Sequence, residues 1–258
     1  VLRLRAFEKE RAALFVCSHR FRITDSDVFR ARHYDGADII IGAPPTLLYK
    51  CRCSGAIRGL SLEWLGSLRR VRQVMPRFVF YECTVHAPWD RVRARLSQWG
   101  YVCALATVNA CDVGAPHRRR RTYLLGCLEP INVKQPFYKR NPYALIPSPT
   151  PTINRSPLTD NQRTKSNFQT WLSRHGDEPS DAFSHWSVIM GYEAPGSNDF
   201  IKKKERVAEW MMGIPYGWVS NQNLSHRTAC LLIGSASIWQ QAHLGLWRAS
   251  LEVNRLLT

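Results

Sequence analysis

The chain has no run of about 18 apolar residues, so no segment reads as a membrane-spanning helix. It has no C-x-x-C pair. Of its eight cysteines only Cys51 and Cys53 stand close together, as a C-x-C without a second half, and no metal site is expected. No segment repeats. The composition lacks the bias of a collagenous or wholly disordered chain, and 45% hydrophobic residues suffice for a core. Acidic residues are the scarcest charge. The 258 residues carry 20 Asp+Glu against 36 Lys+Arg, a net charge of +16. A surplus of that size points to a polyanionic partner, most simply nucleic acid, and not to a membrane.

The charge is uneven. Residues 1–126 hold 22 Lys+Arg and 10 Asp+Glu, so +12 of the +16 lies there. Arginine dominates, and its planar fork suits bidentate contacts to phosphate and base edges. Several cysteines fall inside apolar runs such as 101–105 and read as small core residues in a reducing, intracellular compartment. An organelle such as the mitochondrion is compatible with this.

Helix and strand patterns alternate through the first half. Helices are expected over Ala6–Ser18, Ser61–Met75 (Trp64, Leu68 and Val71 inward, Pro76 as stop) and Trp89–Trp99 after Pro88. Strands are expected over Ala37–Gly42, Arg77–Tyr81, Tyr101–Val108 and Thr122–Leu128, the first as a buried parallel strand. This order gives an α/β fold with a mostly parallel sheet. Residues 130–200 are rich in Pro, Ser, Thr and Asn and read as a loop-dominated, small irregular subdomain. Helical pattern returns over Lys202–Met212 and from His226 onward. Three segments result: an α/β core over 1–129, a loop-rich part over 130–204, and a return to the core over 205–258.

Four islands carry chemistry. They are Asp38–Thr46 (DIIIGAPPT), Pro76–Thr84 (PRFVFYECT), Asn109–Arg121 (NACDVGAPHRRRR), and Glu209–Trp218 (EWMMGIPYGW) followed by Gly234–Ser237 (GSAS). In this order the chain resembles the DNA (cytosine-5)-methyltransferases of phage and bacterial type, whose islands read D-hydrophobic-G-G-P-P-C-Q, P-x-x-hydrophobic-E-N-V, N-A-x-D-x-G-x-P-[QH]-x-R-x-R, and W-M-M-G-x-P-x-G-W with G-N-x-V. The resemblance implies a Rossmann-like class I methyltransferase fold with a target-recognition-like subdomain in 130–204. It implies chemistry in which a nucleophile adds to C6 of a flipped cytosine and C5 takes the methyl of S-adenosylmethionine. Glu82 would bond N3 and the exocyclic amine. Arg119 and Arg121 would hold the nucleophile loop and the base oxygen, on one face of a strand. Glu8, Asp27 and Ser235 would stand at the cofactor positions. Nucleic-acid contacts would come from Arg118, Arg119, Arg120 and Arg121, and from Lys139, Arg140, Lys202, Lys203 and Lys204 in the target-reading segment.

Four departures qualify that expectation. The nucleophile position is Thr46, and an unactivated alcohol is a far weaker nucleophile than a thiol. The family's opening glycine-rich loop has no counterpart ahead of Glu8. The asparagine and valine of G-N-x-V are Ser235 and Ser237, and those of E-N-V are Cys83 and Thr84. The expectation is therefore a catalytically inactive relative with no cofactor, which binds nucleic acid or serves as a basic subunit of a nucleic-acid assembly such as a ribosome, beside other protein subunits. The alternative is an active enzyme, as a fragment or half of a split pair, using S-adenosylmethionine.

Overall fold

A computed structural model describes residues 36–44, 60–136, 181–196, 199 and 203–258, and the strand backbones at 6–7 and 23–25. Two compact units emerge. One comprises 1–108, 120–136 and 242–258; the other comprises 109–119 and 137–241. These boundaries differ from the three sequence segments. The return to the first unit begins at Ala242, inside the last helix, and the loop 109–119 leaves the first unit for the second.

In the first unit, β1 (Ala6–Phe7) pairs in parallel with β2 (Ile23–Asp25). Ala6 and Phe7 thus start no helix, contrary to the sequence pattern, because pairing with a parallel neighbour outweighs local propensity over so short a stretch. The main sheet has four strands: β3 (Ile39–Gly42), β4 (Phe78–Cys83), β5 (Val102–Asn109) and β6 (Arg120–Cys127), in the order β3-β4-β6-β5. β3 and β4 are parallel, joined by the helical crossover α1 (Leu62–Val74). β6 runs antiparallel to β4. The sheet is thus mixed, because the link 110–119 is too short to carry a crossover helix and β6 must turn back. β3 is also less buried than its sequence suggests, with Ile39 and Ile41 at 41% and 69% exposure.

α1 begins and ends by local rules. The Ser61 side chain accepts from the Trp64 N–H, Glu63 lies in the first turn and Arg72 in the last. Met75 adopts a left-handed conformation (φ 50°) and Pro76 forbids continuation. α2 (Trp89–Ser97) starts after Pro88. Trp64, Leu68 and Val71 of α1 and Trp89, Val92 and Leu96 of α2 pack with Val79, Tyr81 and Leu124 on one face of the sheet. Here Trp64 meets Tyr81 and Trp89 edge to face, with centroids 5.4 and 5.7 Å apart. Gly42 lets β3 close on Tyr81, since a Cβ there would lie 2.9 Å from the ring.

The other face carries Phe80 stacked on Tyr123 at 5.7 Å. The last helix, α6 (Trp239–Leu257), approaches this face so closely that a Cβ on Gly245 would fall 2.2 Å from Tyr123. Asn254 ties α6 to Ile131 through two hydrogen bonds, accepting from its N–H at 3.0 Å and donating to its carbonyl at 2.8 Å.

The second unit holds α3 (Asp181–Met190), α4 (Lys204–Met211) and α5 (His226–Ser235). α3 corrects the expectation of loop throughout 130–200. Its buried Phe183 and Trp186 recur at helical spacing, and Trp186 donates to the Trp210 carbonyl at 2.8 Å.

Among the described residues Cys83, Cys103, Cys111, Cys127 and Cys230 are free thiols. Burial pushes the Cys103 and Cys127 thiols up to about 12. They are core residues, not reactive groups. Gly245→Ala is expected to cost about 1–3 kcal/mol, because the methyl must displace the Tyr123 ring. A thermal melt monitored by circular dichroism checks this, and an unchanged midpoint would show that the helix slides freely on the sheet.

Candidate functional site

The C-terminal end of β4 carries Glu82 and Cys83. In the antiparallel register Glu82 lies opposite Tyr123 and Cys83 opposite Thr122. Arg121 stands two residues before Tyr123, so it shares a face with Glu82 as its diagonal neighbour. The Arg121 Nε donates to Glu82 Oε1 at 2.8 Å, and both side chains are mostly buried. The guanidinium also donates to the Arg120 carbonyl at 3.0 Å. A carboxylate and a guanidinium held this way cannot be separated cheaply: removing one partner of a buried pair costs several kcal/mol. Chemically the pair offers a planar acceptor and a planar donor at a strand end, which is where α/β sheets place ligands.

Cys83 lies on the opposite face and reaches β3, its thiol donating to the Pro44 carbonyl at 3.2 Å. Pro44 is buried. The thiol thus anchors the chain at the entrance to the segment that contains Thr46. The departure at Cys83 preserves a donor, and so it is less of a loss than the sequence pattern suggests.

Most of the third island is spent on building the second unit. Asn109 and Asp112 cap a 3-10 turn, Ala110–Val113, reciprocally. Gly114 follows at φ 90°, and a Cβ there would collide with Ile189 and His185. His117 is fully buried, its Nε2 3.0 Å from the Met211 carbonyl. Arg119 is 3% exposed and donates to the carbonyls of Gly234 and Ala236 at 2.8 and 2.9 Å. These are carbonyls of the C-terminal turn and cap of α5, where a cation is favoured by the helix dipole. The Arg119 carbonyl in turn accepts from Ala110 and from Gln241.

The expected nucleic-acid role of Arg119 is therefore corrected. Its guanidinium faces inward and satisfies main-chain carbonyls, so no phosphate can reach it. Arg118 and Arg120 are exposed and alternate with it, as successive residues of an extended chain do. Arg119 and Arg121 fall in different units.

Sequence reasoning assigned no role to Glu209. It is 1% exposed, and its carboxylate accepts four hydrogen bonds. The N–H groups of Val219 and Ser220 reach Oε1 at 2.6 and 3.2 Å; the N–H of Gly217 and the hydroxyl of Ser220 reach Oε2 at 2.9 and 2.6 Å. It organises the loop after Gly213, whose turns need positive φ at Gly213 and Gly217. The available signal was an acid directly before the apolar run Trp210–Met212, where only a satisfied carboxylate can be buried.

Ser235 is exposed and its hydroxyl donates to the Leu232 carbonyl of its own helix at 2.8 Å. Lys203 and Lys204 are exposed at the start of α4. Thr46, Glu8, Asp27, Lys139, Arg140 and Lys202 lie outside the described residues. Among the described residues no group of His, Cys, Asp and Glu could hold a metal, and no helix is long and apolar enough to cross a membrane.

A mixed sheet with helices on both faces and polar groups at its strand ends defines a Rossmann-like class I methyltransferase fold. Three solved structures are similar to it. The methyltransferase EhMeth of Entamoeba histolytica aligns with a TM-score of 0.56 at 11% identity, over 95% of this chain and 88% of that one. A mutant DNMT2 of Spodoptera frugiperda gives 0.54 at 14%, over 96% and 91%. The Dnmt2 methyltransferase of S. pombe gives 0.55 at 15%, over 98% and 91%. Residues 86–210 match the family model of the C-5 cytosine-specific DNA methylases. That stretch is thus similar to the cytosine-5 methylases, within a fold that is similar to the solved methyltransferases. No curated protein matches the chain by sequence.

Glu209→Gln is expected to destabilise the second unit by about 3–5 kcal/mol, since an amide cannot accept all four donors. Urea denaturation checks this, and a loss below 1 kcal/mol would show that the loop holds itself.

Proposed function

We propose that this protein binds nucleic acid and engages an extruded cytosine at the end of β4 without methylating it. The observation that carries the reading is the Glu82–Arg121 pair, a carboxylate oriented by a guanidinium at a strand end. A carboxylate there accepts from the amino group of a cytosine edge, and from the adjacent ring nitrogen once that nitrogen is protonated, and the base must leave its stack to meet it. The exposed Arg118 and Arg120 supply phosphate contacts. Thr46 argues against the covalent step, since a hydroxyl with no base beside it in sequence does not add to C6 at a useful rate.

A second reading, an active cytosine-5 methyltransferase, draws support from the Cys83–Pro44 contact, which keeps the loop anchor despite the changed side chain.

Two measurements on the full chain separate these readings. A duplex carrying 5-fluorocytosine is expected to give no covalent adduct in the presence of S-adenosylmethionine, and an adduct resistant to denaturation would establish the enzyme reading. A duplex with one mismatched cytosine should bind roughly tenfold tighter than the same duplex with thymine there, a contact worth about 1.4 kcal/mol within the range for base readout. Glu82→Ala should abolish that difference while leaving overall affinity within about twofold. Equal binding of both duplexes by the parent would overturn the cytosine assignment.

A further inference from the structure

The sides of α1 and α2 turned away from the sheet expose Arg69, Arg72, Arg91 and Arg95. Among the described residues no carboxylate is in ion-pair contact with any of the four. The acids of these helices, Glu63 and Asp90, sit in the first turns and complement the helix dipoles. The two helices lie side by side on one sheet face, so their arginines belong to one helical layer. The aromatics of that layer point inward: Trp64 and Trp89 are buried. The outward sides of the two helices thus offer guanidinium groups and no aromatic ring of their own.

Its position is also specific. α1 leads into the start of β4, and α2 leaves from the end of β4. Arg69 and Arg72, in the second half of α1, and Arg95, in the last turn of α2, therefore lie toward the end of the sheet opposite Glu82. The six residues of β4 separate the two ends by roughly 20 Å.

We infer that this outer helical layer is a second docking surface, taking the phosphate backbone of duplex DNA by charge alone, apart from the strand-end site. The inference deepens the nucleic-acid reading above and rests on it. Arginine forks without stacking rings track phosphates and carry no sequence information. A duplex held there extends the contact beyond the base-reading end and strengthens binding at every sequence equally.

The test is fluorescence anisotropy with a random-sequence DNA duplex at several salt concentrations. The full chain is compared with R69Q/R72Q, with R91Q/R95Q, with the four-fold glutamine variant, and with the four-fold lysine variant. The parent should lose affinity steeply as salt rises. Each double variant should flatten the slope of log affinity against log salt by about 1.8, and the four-fold glutamine variant by about 3.6, at about 0.9 per phosphate contact. The lysine variant should keep the parent slope. If the four-fold variant fails to fold by circular dichroism, the two double variants decide. Glutamine variants that fold and keep the parent slope would overturn the inference, as would a lysine variant that falls with them, since that marks packing and not charge. Loss of the slope on Arg118→Gln/Arg120→Gln alone would overturn this surface yet leave the nucleic-acid reading standing. A parent chain that binds no duplex would overturn the nucleic-acid reading itself.

Discussion

The antiparallel register of β4 against β6 is the constraint on which the strand-end site depends. It sets Glu82 opposite Tyr123 and so brings Arg121, two residues earlier on β6, onto the same face within hydrogen-bond reach. A slip of one residue would turn Arg121 to the other face, into the layer of Trp64 and Trp89. The register is held from both sides. On one face Tyr81 and Leu124 pack beneath α1 and α2; on the other, Phe80 and Tyr123 stack under α6, where Gly245 permits the approach. The ion pair is thus a consequence of apolar packing that fixes the strands. Its own electrostatics, in a partly desolvated setting, contribute more to geometry than to net stability.

The second unit shows the complementary arrangement, in which charged side chains serve the backbone. Arg119 and Glu209 are both buried, and each bonds main-chain groups. Arg119 satisfies carbonyls at the end of α5; Glu209 satisfies amides of the loop after Gly213. Each solves the same problem: main-chain groups that no helix or strand can pair must still be satisfied when buried. A charged partner suits that task because its hydrogen bonds are the stronger ones. The price is a residue that cannot be changed to a neutral isostere without orphaning several groups at once.

This distinction explains which parts were legible in the sequence. α1 and α2 were readable because their apolar spacing, the stop at Pro76 and the start at Pro88 agree. β4, β5 and β6 were readable as apolar runs, but the reversal of β6 was not. Direction is a property of the connection, and it follows only once 110–119 is seen to hold a single tight turn. The start of β1 was misread as helix because a two-residue strand has no periodicity of its own. α3 was missed because its surrounding composition is that of loop, while Phe183 and Trp186 alone carry the helical signal. At the site, Glu82, Arg119 and Arg121 were singled out by motif, but the Glu82–Arg121 pairing was not foreseen, and Arg119 looked equivalent to Arg121. Alternation along an extended chain makes 119 and 121 alike in direction, and it says nothing about what waits there: a carboxylate for one, helix-end carbonyls for the other.

The departures from the family pattern then differ in weight. At Cys83 the requirement is a donor toward a main-chain carbonyl, and a thiol meets it. At Ser235 the hydroxyl turns back to its own helix, and the α5 end is held by Arg119 regardless. Both positions act through the backbone, which accepts a bond from any side chain of suitable reach. Position 46 is different in kind. A nucleophile acts through its own atom, and the gap between a thiol and an alcohol is one of acidity, not of shape. No neighbouring carbonyl can compensate for that. A scaffold anchored by backbone acceptors therefore tolerates the changes at Cys83 and Ser235, whereas a position that acts through its own atom has no such tolerance.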